Sequence, residues 1–198
     1  MLIAVSLLAA CAQSHPSRFY TLTSDPGEQG AAAVPAAGLA VGLGPVILPK
    51  YLDRPDIVQR TSTHELSLAE FDKWSEPLDS MVPRVMSENL SALLGTNQVF
   101  VLPQRRTPRL DYEVEVEILR FDAGADGEVV LDVQWEVYGG AGDKPLDIQR
   151  SAFREPVSGE GYPAIAAAMS RALGRFSADI AAAIRSADQT RKTPPRRR

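Results

Sequence analysis

Two alternating segments, set one after the other, constrain this chain more than any other feature of its sequence. From Leu110 to Phe121, Tyr112, Val114, Val116 and Ile118 fall on one face, and Asp111, Glu113, Glu115 and Glu117 on the other. That period of two is the mark of a half-buried strand. After Ala123-Gly124-Ala125-Asp126-Gly127, the residues Val129, Leu131, Val133, Trp135 and Val137 alternate with Asp132, Gln134 and Glu136. The pair predicts a long antiparallel hairpin with one apolar face that must be covered. Two helical patterns can cover it. Ile165, Met169, Leu173, Phe176, Ile180 and Ile184 recur at helical spacing among alanines, and Leu78, Val82, Val85, Met86, Leu90, Leu93 and Leu94 lead up to a stop at Gly95. The expected fold is α+β: a largely antiparallel sheet with two amphipathic helices packed on one face. Ser75 is a candidate cap for the first helix, and Pro83 predicts a kink or a late start.

Shorter strands are expected at Arg18 to Thr23, Leu39 to Leu48, Gln98 to Leu102 and Leu146 to Arg154. Ile57 to Arg60 and Glu65 to Leu68 read as a hairpin across Thr61-Ser62-Thr63-His64. Gly42, Gly44 and Pro45 put Leu39 to Leu48 near a sheet edge. Such an edge leaves open a homo-oligomer formed by strand pairing between protomers.

Before this domain, Met1 to Ala10 is an apolar run, too short to span a bilayer, which takes about 20 residues. Its length suits a signal peptide. Leu8-Ala9-Ala10-Cys11 resembles a bacterial lipobox, whose cysteine is acylated, while a buried structural Cys11 is the plain alternative. In that lipoprotein pattern, Ala12 rather than Asp after the cysteine points to the outer membrane. The organisation read from the sequence is a signal peptide over 1–10, a lipidated tether over 11–17 and one domain over 18–185. A flexible loop falls at 24–38 and a basic disordered tail at 186–198.

Composition narrows the chemistry. One Cys and two His, His15 and His64, leave almost no soft metal ligands, so no metal site and no cofactor are expected. Five of the 21 basic residues are Arg191, Lys192, Arg196, Arg197 and Arg198, leaving 16 against 25 acidic residues, a net −9. An acidic body does not attract phosphate backbones, so no nucleic-acid partner is expected. The row Glu113, Glu115, Glu117 with Asp132 and Glu136 is the one candidate for carboxylate catalysis, and it also reads as the ordinary solvent face of a sheet. No catalytic residues are assigned. Tyr51, Leu52, Arg54, Phe71 and Trp74, bulky or cationic residues around proline-bracketed turns, are the candidate partner-binding residues, because aromatics and Arg dominate protein contacts. Their plain alternative is that they close one end of the core.

An ordered series of motifs carries a family resemblance: the lipobox at Cys11, Phe19-Tyr20-Thr21-Leu22, Val41-Gly42-Leu43-Gly44-Pro45-Val46-Ile47-Leu48-Pro49, Tyr51-Leu52-Asp53-Arg54-Pro55, Ile57-Val58 and Trp74-Ser75-Glu76-Pro77-Leu78. Together they resemble the ABC-type transport auxiliary lipoproteins, the PqiC (YmbA-like) family of Gram-negative bacteria. The resemblance implies a fold similar to the N-terminal domain of TolB. It also implies a non-catalytic, periplasm-facing lipoprotein anchored in outer-membrane lipid through Cys11. Its partner would be the periplasm-spanning protein of an MCE-type system that moves phospholipid or other hydrophobic compounds between the membranes. Two other readings stay open: a carrier that binds the hydrophobic cargo itself, and an envelope hydrolase using the carboxylate row.

Overall fold

The computed structural model describes residues 16–27, 38–104, 108–140, 142 and 144–193. Cys11, most of the 24–38 loop and the last five residues lie outside them. In chain order the strands are β1 (Arg18–Tyr20), β2 (Val41–Ile47), β3 (Asp56–Ser62), β4 (Glu65–Trp74), β5 (Val99–Val101), β6 (Tyr112–Gly124), β7 (Glu128–Gly139) and β8 (Pro145–Pro156). The helices are α1 (Leu78–Leu94) and α2 (Gly161–Lys192).

The sheet is mixed. Strands β6, β7 and β8 form a long antiparallel meander, and β3 and β4 a second antiparallel pair. The far edge of β6 is shared in parallel by two strands: β2 pairs its first half and β3 its last residues. Short strands complete the parallel part, β5 beside β2 and β1 beside β4. Strand β2 therefore lies between β5 and β6, and the edge expected around Gly42 and Gly44 is occupied. The glycine serves the interior instead: a side chain on Gly44, at φ 134°, would meet the Leu102 carbonyl at 2.9 Å.

Alternation holds along β6 up to Ile118, where a bulge opposite β7 shifts the pairing. Phe121 and Ala123 then take the core side. An extra residue in one strand moves every later side chain to the other face, so Arg120 and Asp122 emerge on the outer face, away from the helices.

Both helices pack against the core face. Phe176 of α2 sits edge-on to Trp135 at 6.0 Å and beside Phe153 at 5.8 Å, joining the helix to β7 and β8. Nearly buried Glu155 of β8 ties the same helix through Arg171 and Arg175. Helix α1 starts at Leu78 after Pro77, without a side-chain cap from Ser75, and runs through buried Pro83. It ends where Gly95 adopts the left-handed conformation at φ 62°.

The polar stretch after Ser186 is helical as far as Lys192, where a tail was expected. Asp188 supplies the reason. Its buried carboxylate takes Arg191 at 2.8 Å and Lys192 at 2.6 Å, and Arg191 also reaches Asp111 at 3.0 Å. Cations in the last turn also suit the helix dipole.

Ser24 and Asp25, the start of the expected loop, are fixed by the amide oxygen of buried Asn89. Here the backbone crosses α2 so closely that a Cβ on Gly174 would lie 1.8 Å from the Asp25 carbonyl oxygen. Gly→Ala inside a helix ordinarily stabilises by about 0.5–1 kcal/mol. Gly174→Ala is expected to do the reverse, costing on the order of 1–3 kcal/mol as overpacking does. A thermal melt reads the sign.

A candidate docking groove

Three prolines shape the segment that leaves β2. Pro49 precedes a 3-10 turn over Lys50–Leu52, and Pro55 precedes β3. Leu52 N–H donates to the Pro49 carbonyl at 3.0 Å and Arg54 N–H to the Leu52 carbonyl at 2.8 Å, closing the turn. The end of β4 joins it where Trp74 N–H donates to the Pro55 carbonyl at 2.7 Å. Pro77 then fixes the entry to α1. Between these pieces lies a groove of about 530 Å³. Leu52 and Trp74, 4% and 3% exposed, form its floor with Leu78. Ile47, 55% exposed, stands at its mouth.

The rim is charged. Lys50 faces Asp53 at 3.6 Å and Glu76 is held by Arg84 at 2.7 Å. Arg54 is exposed and, among the described residues, in no ion pair. An apolar floor inside a polar rim is the anatomy of a protein docking site.

The groove thus brings together Leu52, Arg54 and Trp74 of the five residues expected to bind a partner. Tyr51 turns away from it. Its hydroxyl donates to Asp122 at 2.8 Å and accepts from Phe121 N–H at 3.1 Å, pinning the turn to β6. Phe71 is half-buried on β4, outside the groove lining. Sequence reasoning missed Ile47, Leu48 and Glu76. The spacing of Pro49, Pro55 and Pro77 was the signal that could have found them, since it fixes two turns that converge.

Asp122 is fully buried on the outer face, and Arg60 at 3.1 Å and Arg120 at 2.9 Å compensate its charge. The Arg60 guanidinium also stands 5.9 Å from the centre of the Tyr51 ring. Burial, with the neighbouring Asp122 carboxylate adding to it and the Phe121 N–H opposing, pushes the Tyr51 hydroxyl up to about 12. Further along the same face, the row Glu113, Glu115, Glu117, Asp132 and Glu136 is half-buried to exposed, and the Tyr138 hydroxyl bonds Glu136. Among the described residues no three His, Cys, Asp or Glu side chains are grouped to hold a metal, and no helix is long and apolar enough to cross a membrane.

The structure is thus a mixed α+β sheet backed by two helices, with a groove at one seam. Comparison with known proteins gives the family. The model of the ABC-type transport auxiliary lipoprotein component matches residues 20–181, and the chain belongs to that family. The match includes the Val41–Val58 and Trp74–Leu78 motifs that carried the resemblance. The family is one of lipoproteins serving transport systems. The fold is shared with the crystal structure of XCC0632 from Xanthomonas campestris, of the DUF330 family, at 17% identity and TM-score 0.70 over 89% of this chain and 100% of that one. It is shared equally with an uncharacterised protein at 20% identity and TM-score 0.70, over 86% of this chain and 99% of that one. A search of curated proteins finds no match.

Two outcomes test the pin under the groove. Asp122→Ala is expected to cost about 3–5 kcal/mol, because it strands two arginines in a partly buried site. Tyr51 keeps its proton to higher pH folded than unfolded, so folding stability falls as pH rises above the unfolded value of 10.0 toward about 12. Tyr51→Phe removes that contribution. Its denaturant midpoint measured from pH 9 to 12 should fall less steeply than wild type.

Proposed function

We propose that this chain is a non-catalytic docking component of an MCE-type lipid transport system, held at the outer membrane by acylated Cys11 and facing the periplasm. The groove is the observation that carries it. Its walls come from the two motifs that carry the family resemblance, and its apolar floor, exposed Ile47 and exposed Arg54 suit a segment of another protein. The partner in this reading is the periplasm-spanning MCE protein, and the cargo is phospholipid or another hydrophobic compound. Confinement to the membrane surface raises the effective concentration of even a modest contact.

Leu52 and Trp74 are too buried to serve as probes, since truncating Trp74 would cost about 3–5 kcal/mol in the core. The rim gives the clean test. Ile47→Asp with Arg54→Glu should leave the melt unchanged and sharply reduce crosslinking to the MCE protein. Undiminished crosslinking by the folded double variant overturns the groove as the contact. Palmitate labelling that is lost in Cys11→Ser, with wild type in the outer-membrane fraction, is the expected result for the anchor.

A second cavity favours the carrier reading. It measures about 650 Å³ between α2 and the β6–β8 meander, with Leu110, Tyr112, Val137, Leu146, Ala183 and Ala187 in its wall. A carrier would hold an acyl chain there. Native mass spectrometry of the protein should then show retained lipid, and Ala187→Trp should release it. An empty spectrum under gentle ionisation counts against a carrier. The hydrolase reading has no comparable observation behind it.

A further inference from the structure

Strand β1 fixes the direction from which the chain enters the domain. It pairs in parallel with the end of β4, Arg18 beside Asp72, Phe19 beside Lys73 and Tyr20 beside Trp74. The junction is firm. Arg18 meets Asp72 at 2.7 Å and the Tyr20 hydroxyl meets it at 2.6 Å, and the hydrogen bond from Arg18 holds the Asp72 carboxyl below its ordinary range. Because the pairing is parallel, running backwards from Arg18 toward Cys11 leads in the same direction as running backwards along β4, toward its hairpin turn with β3.

The lengths match. Cys11 lies seven residues before Arg18, and Glu65, at the turn, lies seven before Asp72. Seven residues of tether reach at most about 25 Å. Seven residues of strand cover about 23 Å, and less where the β3–β4 register slips. A tether that continues the line of β1 would bring an anchor at Cys11 level with the hairpin tip.

The hairpin is fitted to that position. Leu66 pairs with Arg60, whose guanidinium reaches Asp122 on the outer face, so Leu66 and Leu68 share that face. They are 36% and 46% exposed. Phe19, 65% exposed and opposite Tyr20, whose ring packs 6.2 Å from Tyr162 of α2, also faces outward, but it lies beside Lys73 at the other end of β4, away from the tip. The turn Ser62-Thr63-His64 is polar, and its neighbour Glu65 is bonded by the Thr61 hydroxyl at 2.8 Å. The rest of the outer face argues against lying flat, since the row Glu113, Glu115 and Glu117 would meet the headgroups.

We propose that the outer face of the β3–β4 hairpin tip, with Leu66 and Leu68, rests on the bilayer that holds the Cys11 anchor. This rests on the anchored reading above and adds an orientation and a lipid contact to it. Leu66→Trp, Leu68→Trp and Ile148→Trp variants test it in the acylated protein, in phosphatidylethanolamine–phosphatidylglycerol vesicles with brominated acyl chains. Trp74 and Trp135, 3% and 1% exposed, supply a buried background, and Ile148 lies exposed on the same outer face, beside Glu136. The expected result is a blue shift and loss of emission at positions 66 and 68 and neither at 148. Unchanged emission at 66 and 68 in vesicle-bound protein overturns the proposal, as does equal loss at 148. An N-terminal mass without acyl chains would sink the anchored reading instead. Coupling the Cys11 thiol to a maleimide-bearing phospholipid then tests the hairpin contact by itself, with the same two outcomes.

Discussion

Phe176 is the contact on which the rest of the architecture depends. It reaches Trp135 and Phe153 at once, so one side chain sets the height of α2 over two strands of the meander. The alanines and serines around it, Ala168, Ala172, Ser177 and Ala181, let the helix settle close enough for that contact. Gly174 then lets the Asp25 backbone lie across the helix. Helix α1 packs beside α2 and over β2 and β5, so both halves of the sheet share one core.

The outer face depends on a different device. One bulge after Ile118 turns Asp122 out of the core, and the structure uses the buried charge to gather Arg60 from β3, Arg120 from β6 and Tyr51 from the groove turn. A carboxylate taken out of water is tolerable only with such partners. The result joins the Tyr51 turn and β3 to β6, far away in sequence, and holds that turn against the strand both halves of the sheet share. Tyr51 thus serves the groove without lining it.

Periodicity made the meander and both helices legible, because residues 112 to 118, 129 to 137 and 165 to 184 each obey one rule throughout. Where a rule changed within a segment, the sequence was silent. Nothing in Ile118-Leu119-Arg120-Phe121 announces a bulge, and unbroken alternation would have put Arg120 and Asp122 on the core face with Ile118. The glycines of β2 suggested an edge, whereas they answer close approach by Leu102 and Leu110 in a parallel interior. The helix beyond Ser186 looked like a tail because its stabilisation lies in Asp188, Arg191 and Asp111, charges that composition cannot pair. At the groove, chemistry was readable and orientation was not: Leu52, Arg54 and Trp74 converge, while adjacent Tyr51 faces the other way.

Strand β4 relates the two surfaces to one another. Its first residue, Glu65, lies at the hairpin turn, and its last, Trp74, lies in the floor of the groove. Opposite it, β3 covers the stretch from Lys73 to Glu65 with Asp56 to Ser62, roughly 20 Å, because β4 bulges between Leu68 and Lys73. In the proposed orientation, with the turn at the bilayer, the groove opens at the end away from it. Pairing β1 to the end of β4 that carries Trp74 sets both orientations at once, and the Arg18–Asp72–Tyr20 contact that fixes β1 keeps the chain entry and the groove on one rigid strand.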